Sequence, residues 1–499
     1  MIERRSSIMT LAIAIASGLV AALYATNAAA GADASGYLSE ARLLAEGRLS
    51  YRDTLASLVG GWHTGLTSPL GWRPGAVEGW QSPTYPPGLP LLMTIPHWAG
   101  GTVAAASVVA VSAAIAVWAT GMVAGLLSGA APIVAAVTLA TLPVFIYQSV
   151  QPMSDVPVTA AWMLCWLALV RSPEPARSPT LAGIACAIAV LIRPNLAPLA
   201  IVPLVFMSTR IRHAVAFATP VALAGLGLLW AQWHWYGSPL RSGYGPVSEL
   251  FATANIRPNV LFYAGVLVST APIMLLAPIG ASLVRRDRLA WALTTFAALV
   301  VAAYLTYGFF DHWSYFRFLL PALAIGSIFV GAAVARMVTG LPISARAAVT
   351  FVVALAIAAV GIANARVLDA FALKDQHRRI VQLGHHLGAS IPDNAVIVAG
   401  EQSGSMRYYT GRPIVRWEAA SAEDLTRALL ELRAANRPVW FVLDAFEEEP
   451  FRAKFAAVRV VLDWPPAVMA GITHRTSAWQ LSDRDRFTRG ESPATLRLP

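Results

Sequence analysis

Apolar positions run through this chain in long unbroken stretches, not in the short alternations of soluble strands. Val103–Leu127, Val215–Trp230, Val260–Val284, Leu289–Tyr307 and Ala347–Ala365 are the clearest. A helix crossing hydrocarbon needs roughly 20 apolar residues, because each adds 1.5 Å to a core about 30 Å thick. Helices are the form expected, since no water is present there to satisfy the backbone. The polar breaks predict helices over 8–29, 103–128, 131–150 and 156–170. Two short helices follow from Leu181–Met207, split by "IRPN" (Ile192–Asn195). The remaining predicted helices cover 213–235, 259–284, 289–308, 317–336 and 347–367. The expected fold class is mostly α, a polytopic transmembrane bundle of about eleven spans. A large first loop, 30–102, contains "YPPGLPLLMTIPHWAG" (Tyr85–Gly100), which reads as a juxtamembrane or re-entrant piece.

The pattern changes near residue 370. "DNAVIVAGEQSGSMRYYTG" (Asp393–Gly411), "PVWFVLDAF" (Pro438–Phe446) and "RVVLDW" (Arg459–Trp464) are strand-like, with "SGSMRYYTG" taken as strand and turn. "SAEDLTRALLELRAAN" (Ser421–Asn436) predicts an amphipathic helix with Ser421 as N-cap and Glu423 and Asp424 in its first turn. Strands alternating with helices predict a small α/β domain. The expected organisation is a membrane domain over 1–369, a soluble domain over 370–485 and an unstructured tail over 486–499.

Composition agrees with the pattern. The chain is 57% hydrophobic and only 13% charged, against about 25% charged residues in soluble domains. Its net charge of +10 gathers in short loops, where basic residues mark the cytoplasmic side. "MIERRSS", "RSPEPARSP" with Arg171 and Arg177, Arg210 with Arg212, "RRDR" (Arg285–Arg288) and Arg336 with Arg346 are then inside. The uncharged turn near Ser128–Ala131 gives no support either way. An odd span count puts the C-terminal domain outside. This predicts an integral protein of a bacterial inner membrane, with no nucleic-acid partner. Cys165 and Cys186 read as small membrane-embedded residues. "ERR" and "NAAAGA" flank the first apolar run as in a cleaved signal peptide. The run from Ile8 to Ala30 exceeds the usual roughly 7–15-residue core of such signals. The alanines are read instead as a packed helix end that presents Asp33.

Few polar residues occupy helix ends, and topology gathers them on one face: Asp33, Asp155, Arg193, Asp311, His312, Tyr315 and Arg317. Ionisable residues at membrane depth are functional candidates. The motifs "DASGYLSEARLLAEG", "SPTYPPGLPLL", "YQSVQPMSDVPVTAAWML", "LIRPNLAPL" and "YFRFLLPALAIG" follow one another over about 30–325. In that order and spacing the sequence resembles the GT-C glycosyltransferases of the protein-mannosyltransferase and aminoarabinose-transferase type. These multispanning enzymes take a sugar from a polyprenyl-phosphate carrier outside the cytoplasm.

The resemblance implies an inverting transfer from a polyprenyl-phosphate sugar to a hydroxyl of a lipid, glycan or protein acceptor. Asp33 is the expected general base. Asp155 would orient the acceptor, or hold an arginine or a metal. Arg193 and Arg317 would meet the leaving phosphate, because a guanidinium forks onto its oxygens. His312 would add a hydrogen bond, and Tyr37, Tyr85 and Tyr315 would line the substrate pocket. No cofactor is required and no metal ligand is assigned, although a divalent metal remains compatible. Many relatives carry an adjacent acidic pair where Asp33 is followed by Ala34, which weakens a metal-binding version of the site. Glu40, two helical turns on, is no obvious replacement. Plainer roles stand beside these: Asp33 and Asp155 as helix N-caps, Arg193 as a snorkelling side chain, "YPPG" as a rigid turn. His385 and His386 fall on a solvated helix. Two other functions compete with the enzyme: a transporter or flippase of lipid-linked or small solutes, and a non-catalytic assembly or sensor protein. The first would call for internal repeats with mid-membrane breaks, and the sequence shows no repeat.

Overall fold

The computed structural model describes residues 2–59, 65–127, 132–171, 178–207, 211–458 and 462–499. Six helices among them are long and apolar enough to cross a membrane: Ser6–Leu23, Gly88–Leu127, Ile211–Tyr236, Arg288–Leu305, Trp313–Met337 and Ala345–Val367. The count is eight if each of two bent pairs is one crossing. Pro132–Thr141 and Pro143–Ser149 meet at 66°, and Thr253–Thr270 and Pro272–Leu283 at 107°. Each bend lies at a proline, which lacks the amide donor needed to continue the helix. Asp155–Val170, Ser178–Ile192 and Pro194–Met207 are shorter apolar helices. The turn at 128–131, residues 172–177 of the basic loop, and Arg210 lie outside the described residues.

Four local expectations are corrected. The alanine run is not a helix end. The first helix stops at Leu23, and Ala25–Ala30 are non-helical. Asn27 takes a φ of 46° and Thr26 N donates to Val150 O at 2.8 Å. Ala28 and Ala30 pack into one core with Ile397, Ala399 and Met406 of the C-terminal domain, so methyl-sized side chains let the two parts close together. The helix expected from 103 begins at Gly88 and passes a break at Gly100 and Gly101. "SGSMRYYTG" forms the helix Ser403–Thr410, closed by Gly411 at φ 68°; a left-handed C-terminal glycine satisfies the last carbonyls. The tail is ordered too: it carries the helix Leu481–Thr488 and a strand over Leu496–Leu498.

The first loop holds a small sheet of β1 (Tyr51–Arg52), β2 (Trp72–Pro74) and β3 (Trp80–Pro83), in order β1-β3-β2. The C-terminal domain is built on β4 (Val396–Ala399), β5 (Ile414–Arg416), β6 (Val439–Asp444), β7 (Val468–Ala470), β8 (Thr476–Gln480) and β9 (Leu496–Leu498). Their order is β5-β4-β6-β8-β7-β9. β4 is parallel to both β5 and β6, whereas β8 is antiparallel to β6 and β7. Arg459–Val461 of the expected "RVVLDW" strand lie outside the described residues. The helix Ala422–Ala434 starts at the anticipated N-cap, Ser421, which forms a capping box: Asp424 N donates to Ser421 Oγ at 3.0 Å and Ser421 N to Asp424 Oδ2 at 3.2 Å.

The helix Ser403–Thr410 docks this domain onto the first-loop helix Gly31–Ala45. Gly31 N donates to Gln402 Oε1 at 3.3 Å, Ala29 N to Tyr409 Oη at 2.9 Å and Leu70 N to Ser403 Oγ at 3.0 Å. The Arg42 guanidinium lies 3.7 Å from the Tyr408 ring centre. Inside the first loop, Gly36 and Gly71 touch backbone to backbone. A Cβ on Gly36 would sit 2.3 Å from Tyr85 Cε2, and one on Gly71 2.6 Å from Gly36 Cα. Gly36→Val is therefore expected to lower stability by about 1–3 kcal/mol through overpacking, read as a drop in thermal unfolding temperature in detergent. Gly225→Ala, in a helix where a Cβ would meet nothing within 4 Å, is expected to hold or raise it.

Candidate functional site

The site begins at a chain break. The helix Ser178–Ile192 cannot run on, because Pro194 follows Arg193 and pushes it into extended geometry; Arg193 has φ −138° and ψ 85°. Its side chain turns inward, where every neighbour is a protein acceptor. Nη2 donates to Asp155 Oδ1 at 2.5 Å, Nη1 to Tyr304 Oη at 3.1 Å and Nε to Ser154 Oγ at 3.3 Å. Asn195 Nδ2 donates to the same Tyr304 hydroxyl at 3.0 Å. Arg193 is thus no snorkelling residue, and its guanidinium and the Asp155 carboxylate are both buried.

A second pair adjoins the first. Arg317 Nη2 donates to Asp33 Oδ2 at 2.8 Å, and Arg317 Nη1 lies 3.9 Å from Asp155 Oδ2. The order Asp33, Arg317, Asp155, Arg193 alternates acid and base, so no charge stands alone. Asp33 is not an N-cap. Its helix starts at Gly31, and Ala30 occupies the cap position without a side-chain bond. Asp155 opens the helix Asp155–Arg171, but its side chain serves Arg193. Burial alone would raise the Asp33 carboxyl; the Arg317 charge, the adjacent Tyr85 hydroxyl and the Arg193 charge outweigh it and hold it below the usual carboxylate range. Two polar atoms of the cluster have no hydrogen-bond partner among the described residues although they are buried: Arg317 Nε and Asp155 Oδ2.

Tyr37 lies one turn beyond Asp33, with its ring 4.8 Å from that of Tyr85. Tyr244 abuts Tyr85 at 5.9 Å, so three aromatic rings wall this end. Tyr315 stacks on Phe310 at 4.4 Å and lies under the Arg317 guanidinium at 5.0 Å. His312 is not brought in. It is exposed, and its Nδ1 accepts from Ser314 N at 3.3 Å as the N-cap of the short helix Trp313–Leu319. Asp311 is exposed as well. Glu40 is buried, with neither oxygen hydrogen-bonded among the described residues, and burial pushes its carboxyl well up.

Sequence reasoning missed Ser154, Asn195, Tyr244, Tyr304 and Glu401. Ser154 and Asn195 adjoin residues already singled out, so neighbourhood could have found them. Tyr304 sits in an unbroken apolar run and Glu401 in the distant C-terminal domain, and neither carries a local signal. Glu401 follows β4, where its backbone N donates to Glu447 Oε1 at 2.9 Å. Its own Oε1 would lie 3.3 Å from a Cβ on Gly31, two residues from Asp33. No hydrogen bond or ion pair reaches its carboxylate among the described residues. Burial, then the charges of Glu418, Asp444 and Asp33, push it up to about 7. No group of three or more His, Cys, Asp or Glu side chains converges among the described residues. The two cluster carboxylates are each matched by an arginine.

Removing one member of a buried pair leaves an uncompensated charge, at a cost of about 3–5 kcal/mol. Arg193→Met should therefore destabilise more than the double variant Arg193→Met/Asp155→Leu, measured by thermal unfolding in the same detergent.

By sequence, no family profile and no curated protein matches the chain. By structure, it is similar to ArnT from Cupriavidus metallidurans in the apo state, with a TM-score of 0.55 and 13% identity over 95% of this chain and 97% of that one. The same ArnT bound to undecaprenyl phosphate gives 0.53 and 13% over 94% and 97%. The archaeal oligosaccharyltransferase AglB from Archaeoglobus fulgidus, in complex with an inhibitory peptide and a dolichol-phosphate, gives 0.58 and 12% over 89% and 70%. Nearly the whole chain aligns with ArnT, and the chain shares the overall fold of these solved structures.

Proposed function

We propose that the chain is an inverting, membrane-integral glycosyltransferase. It would move a sugar from a polyprenyl-phosphate donor to an acceptor hydroxyl on the extracytoplasmic face of an inner membrane. The observation that carries this reading is the pair of buried atoms in the charge cluster that make no hydrogen bond among the described residues, Arg317 Nε and Asp155 Oδ2. Buried polar atoms are nearly always paired. A donor N–H and an acceptor oxygen without hydrogen bonds in one cluster suit a ligand with phosphate oxygens and sugar hydroxyls. Neighbours of the same fold are described with undecaprenyl phosphate and dolichol-phosphate, which supports the donor class.

The roles follow from the contacts. Arg317 takes the donor phosphate on its free Nε–H. Phosphate then competes with Asp33 for the rest of the guanidinium and loosens the 2.8 Å pair. The acceptor oxygen attacks the anomeric carbon from the face opposite the phosphate. Its proton passes to the Asp33 carboxylate, the carbon–oxygen bond to phosphate breaks, and polyprenyl phosphate leaves with the bonding electrons. A single displacement inverts the anomeric centre. Arg317 stabilises the growing phosphate charge more than the ground state, which is what accelerates the step. Arg193 acts mainly through Asp155, holding it for the acceptor. Tyr37, Tyr85 and Tyr315 give the sugar apolar walls. Glu401 stands on the acceptor side as a second carboxylate, able to take a hydrogen bond once ionised.

Two measurements test the reading. With radiolabelled undecaprenyl-phosphate sugars and envelope lipid and glycan extracts, the wild type should transfer label, and Asp33→Asn should lose at least about 100-fold. Absence of transfer from every donor, or an unimpaired Asp33→Asn, contradicts it. In the second, kcat/KM should rise with pH through about 7, where Glu401 ionises. Below that pH the carboxyl is protonated and accepts the acceptor's hydrogen bond only as a weaker, neutral oxygen. Glu401→Gln should flatten this limb while retaining activity, and an unchanged limb removes Glu401 from the acceptor side.

A further inference from the structure

The C-terminal domain carries two apolar side chains that nothing in the proposed reaction uses. Phe446 is 68% exposed and Ile472 is 94% exposed. They emerge together. β6 and β7 are both antiparallel to β8, so they run the same way and end on the same edge. Asp444 at the end of β6 and Ala470 at the end of β7 both pair with Thr476. Phe446 and Ile472 each follow two residues later, on adjacent loops.

That edge faces the membrane domain. The loop after β4, on the same edge, receives the hydrogen bond from Gly31 N through Gln402. The helix Leu373–Ser390 is rooted at the end of the first membrane helix. Lys374 Nζ donates to Leu23 O at 3.0 Å, and Phe371 meets Tyr24 edge-on at 4.8 Å. Five residues further, about 7.5 Å along the helix, Arg379 donates to Thr476 Oγ1 at 3.0 Å and to Asp444 Oδ1 at 3.3 Å. The Arg379 stem also lies beside Gly471, where a Cβ would be 3.0 Å from its Cδ. The ends of β6 and β7 are therefore tied within about a helical turn and a half of where a membrane helix stops.

We infer that the loops after β6 and β7 insert Phe446 and Ile472 into the bilayer interface beside the membrane domain. The occupant is lipid because the patch continues surfaces that already meet it: Leu23 and Val367, at the ends of two membrane-length helices, are 68% and 80% exposed. Lys374 and Arg378 on the helix Leu373–Ser390 and His474 after β7 are exposed, as are Asp375 and Glu449, and Lys and Arg side chains lay their stems along apolar surface while their charged ends reach headgroups. The contact gives the domain a support besides the helix Ser403–Thr410. It fixes the sheet edge that carries Glu401 at a set height over the first-loop helix.

The test uses the full chain in nanodiscs of phosphatidylcholine and phosphatidylglycerol. Both native cysteines are buried, so a nitroxide can be placed selectively on Ile472→Cys or Phe446→Cys. Leu430→Cys is the control: it is 64% exposed on the helix Ala422–Ala434, towards the opposite edge of the sheet. Power-saturation spectroscopy compares collision with oxygen, which concentrates in lipid, and with a nickel chelate, which stays in water. The oxygen-to-nickel ratio should be several-fold higher at 446 and 472 than at 430, and Ile472→Asp should lower it at 446. Ratios at 446 and 472 equal to that at 430 overturn the inference, including the case in which the patch waits for a protein partner. The readout needs no sugar transfer, so it stands apart from the proposed reaction.

Discussion

Four clustered charges, Asp155 and Arg193 buried and Asp33 and Arg317 half-buried, constrain this molecule more than any other feature. Taking an ion out of water costs several kcal/mol even in a relaxed protein, and only close opposite charges and hydrogen bonds offset it. Asp33, Arg317, Asp155 and Arg193 meet that condition only as a set. They come from four separate segments: the start of the first-loop helix, a short helix before a membrane span, the first residue of an apolar helix, and a proline break. Membrane helices, first loop and chain break must all be in place before the charges are neutralised. The cluster therefore reports on the whole membrane domain, while two of its atoms, Arg317 Nε and Asp155 Oδ2, make no hydrogen bond among the described residues.

Local signals carried much of this. Apolar stretches of bilayer length gave the helices, because hydrocarbon leaves the backbone few alternatives. "IRPN" marked a break because proline removes a donor, and the break then aimed Arg193 at Asp155. Ser421 announced its helix as an N-cap. Failures came where distant packing decided. The alanine run looks like a helix end, yet its methyl groups are needed beneath the C-terminal sheet, so it leaves the helix at Leu23. "SGSMRYYTG" has strand-forming tyrosines but is drawn into a helix that docks on the first loop. His312 carries the right chemistry for a site and spends it as a cap. Tyr304 and Glu401 had no pattern to betray them: their importance lies in what folding brings opposite.

The C-terminal domain is more than an appendage. In open α/β sheets, ligands gather at the carboxyl ends of parallel strands. Here that edge, through Gly400, Glu401 and Gln402, leans on Gly31 at the base of the helix bearing Asp33. Asp444 and Glu447 brace the edge from below: Gln402 Nε2 donates to Asp444 Oδ2 at 2.8 Å, and Trp417 Nε1 to Glu447 Oε1 at 3.2 Å. In the proposed reaction, a domain placed in this way would shape the acceptor site apart from donor binding.

The central claim is that the phosphate of a polyprenyl donor enters the charge cluster through Arg317. A structure of the full chain in a nanodisc with undecaprenyl phosphate tests it most directly. The account predicts phosphate oxygens within hydrogen-bond distance of Arg317 Nε, with the Asp33–Arg317 contact lengthened and the Asp155–Arg193 pair intact. Phosphate bound away from Arg317, with the Asp33 pair undisturbed, would contradict it.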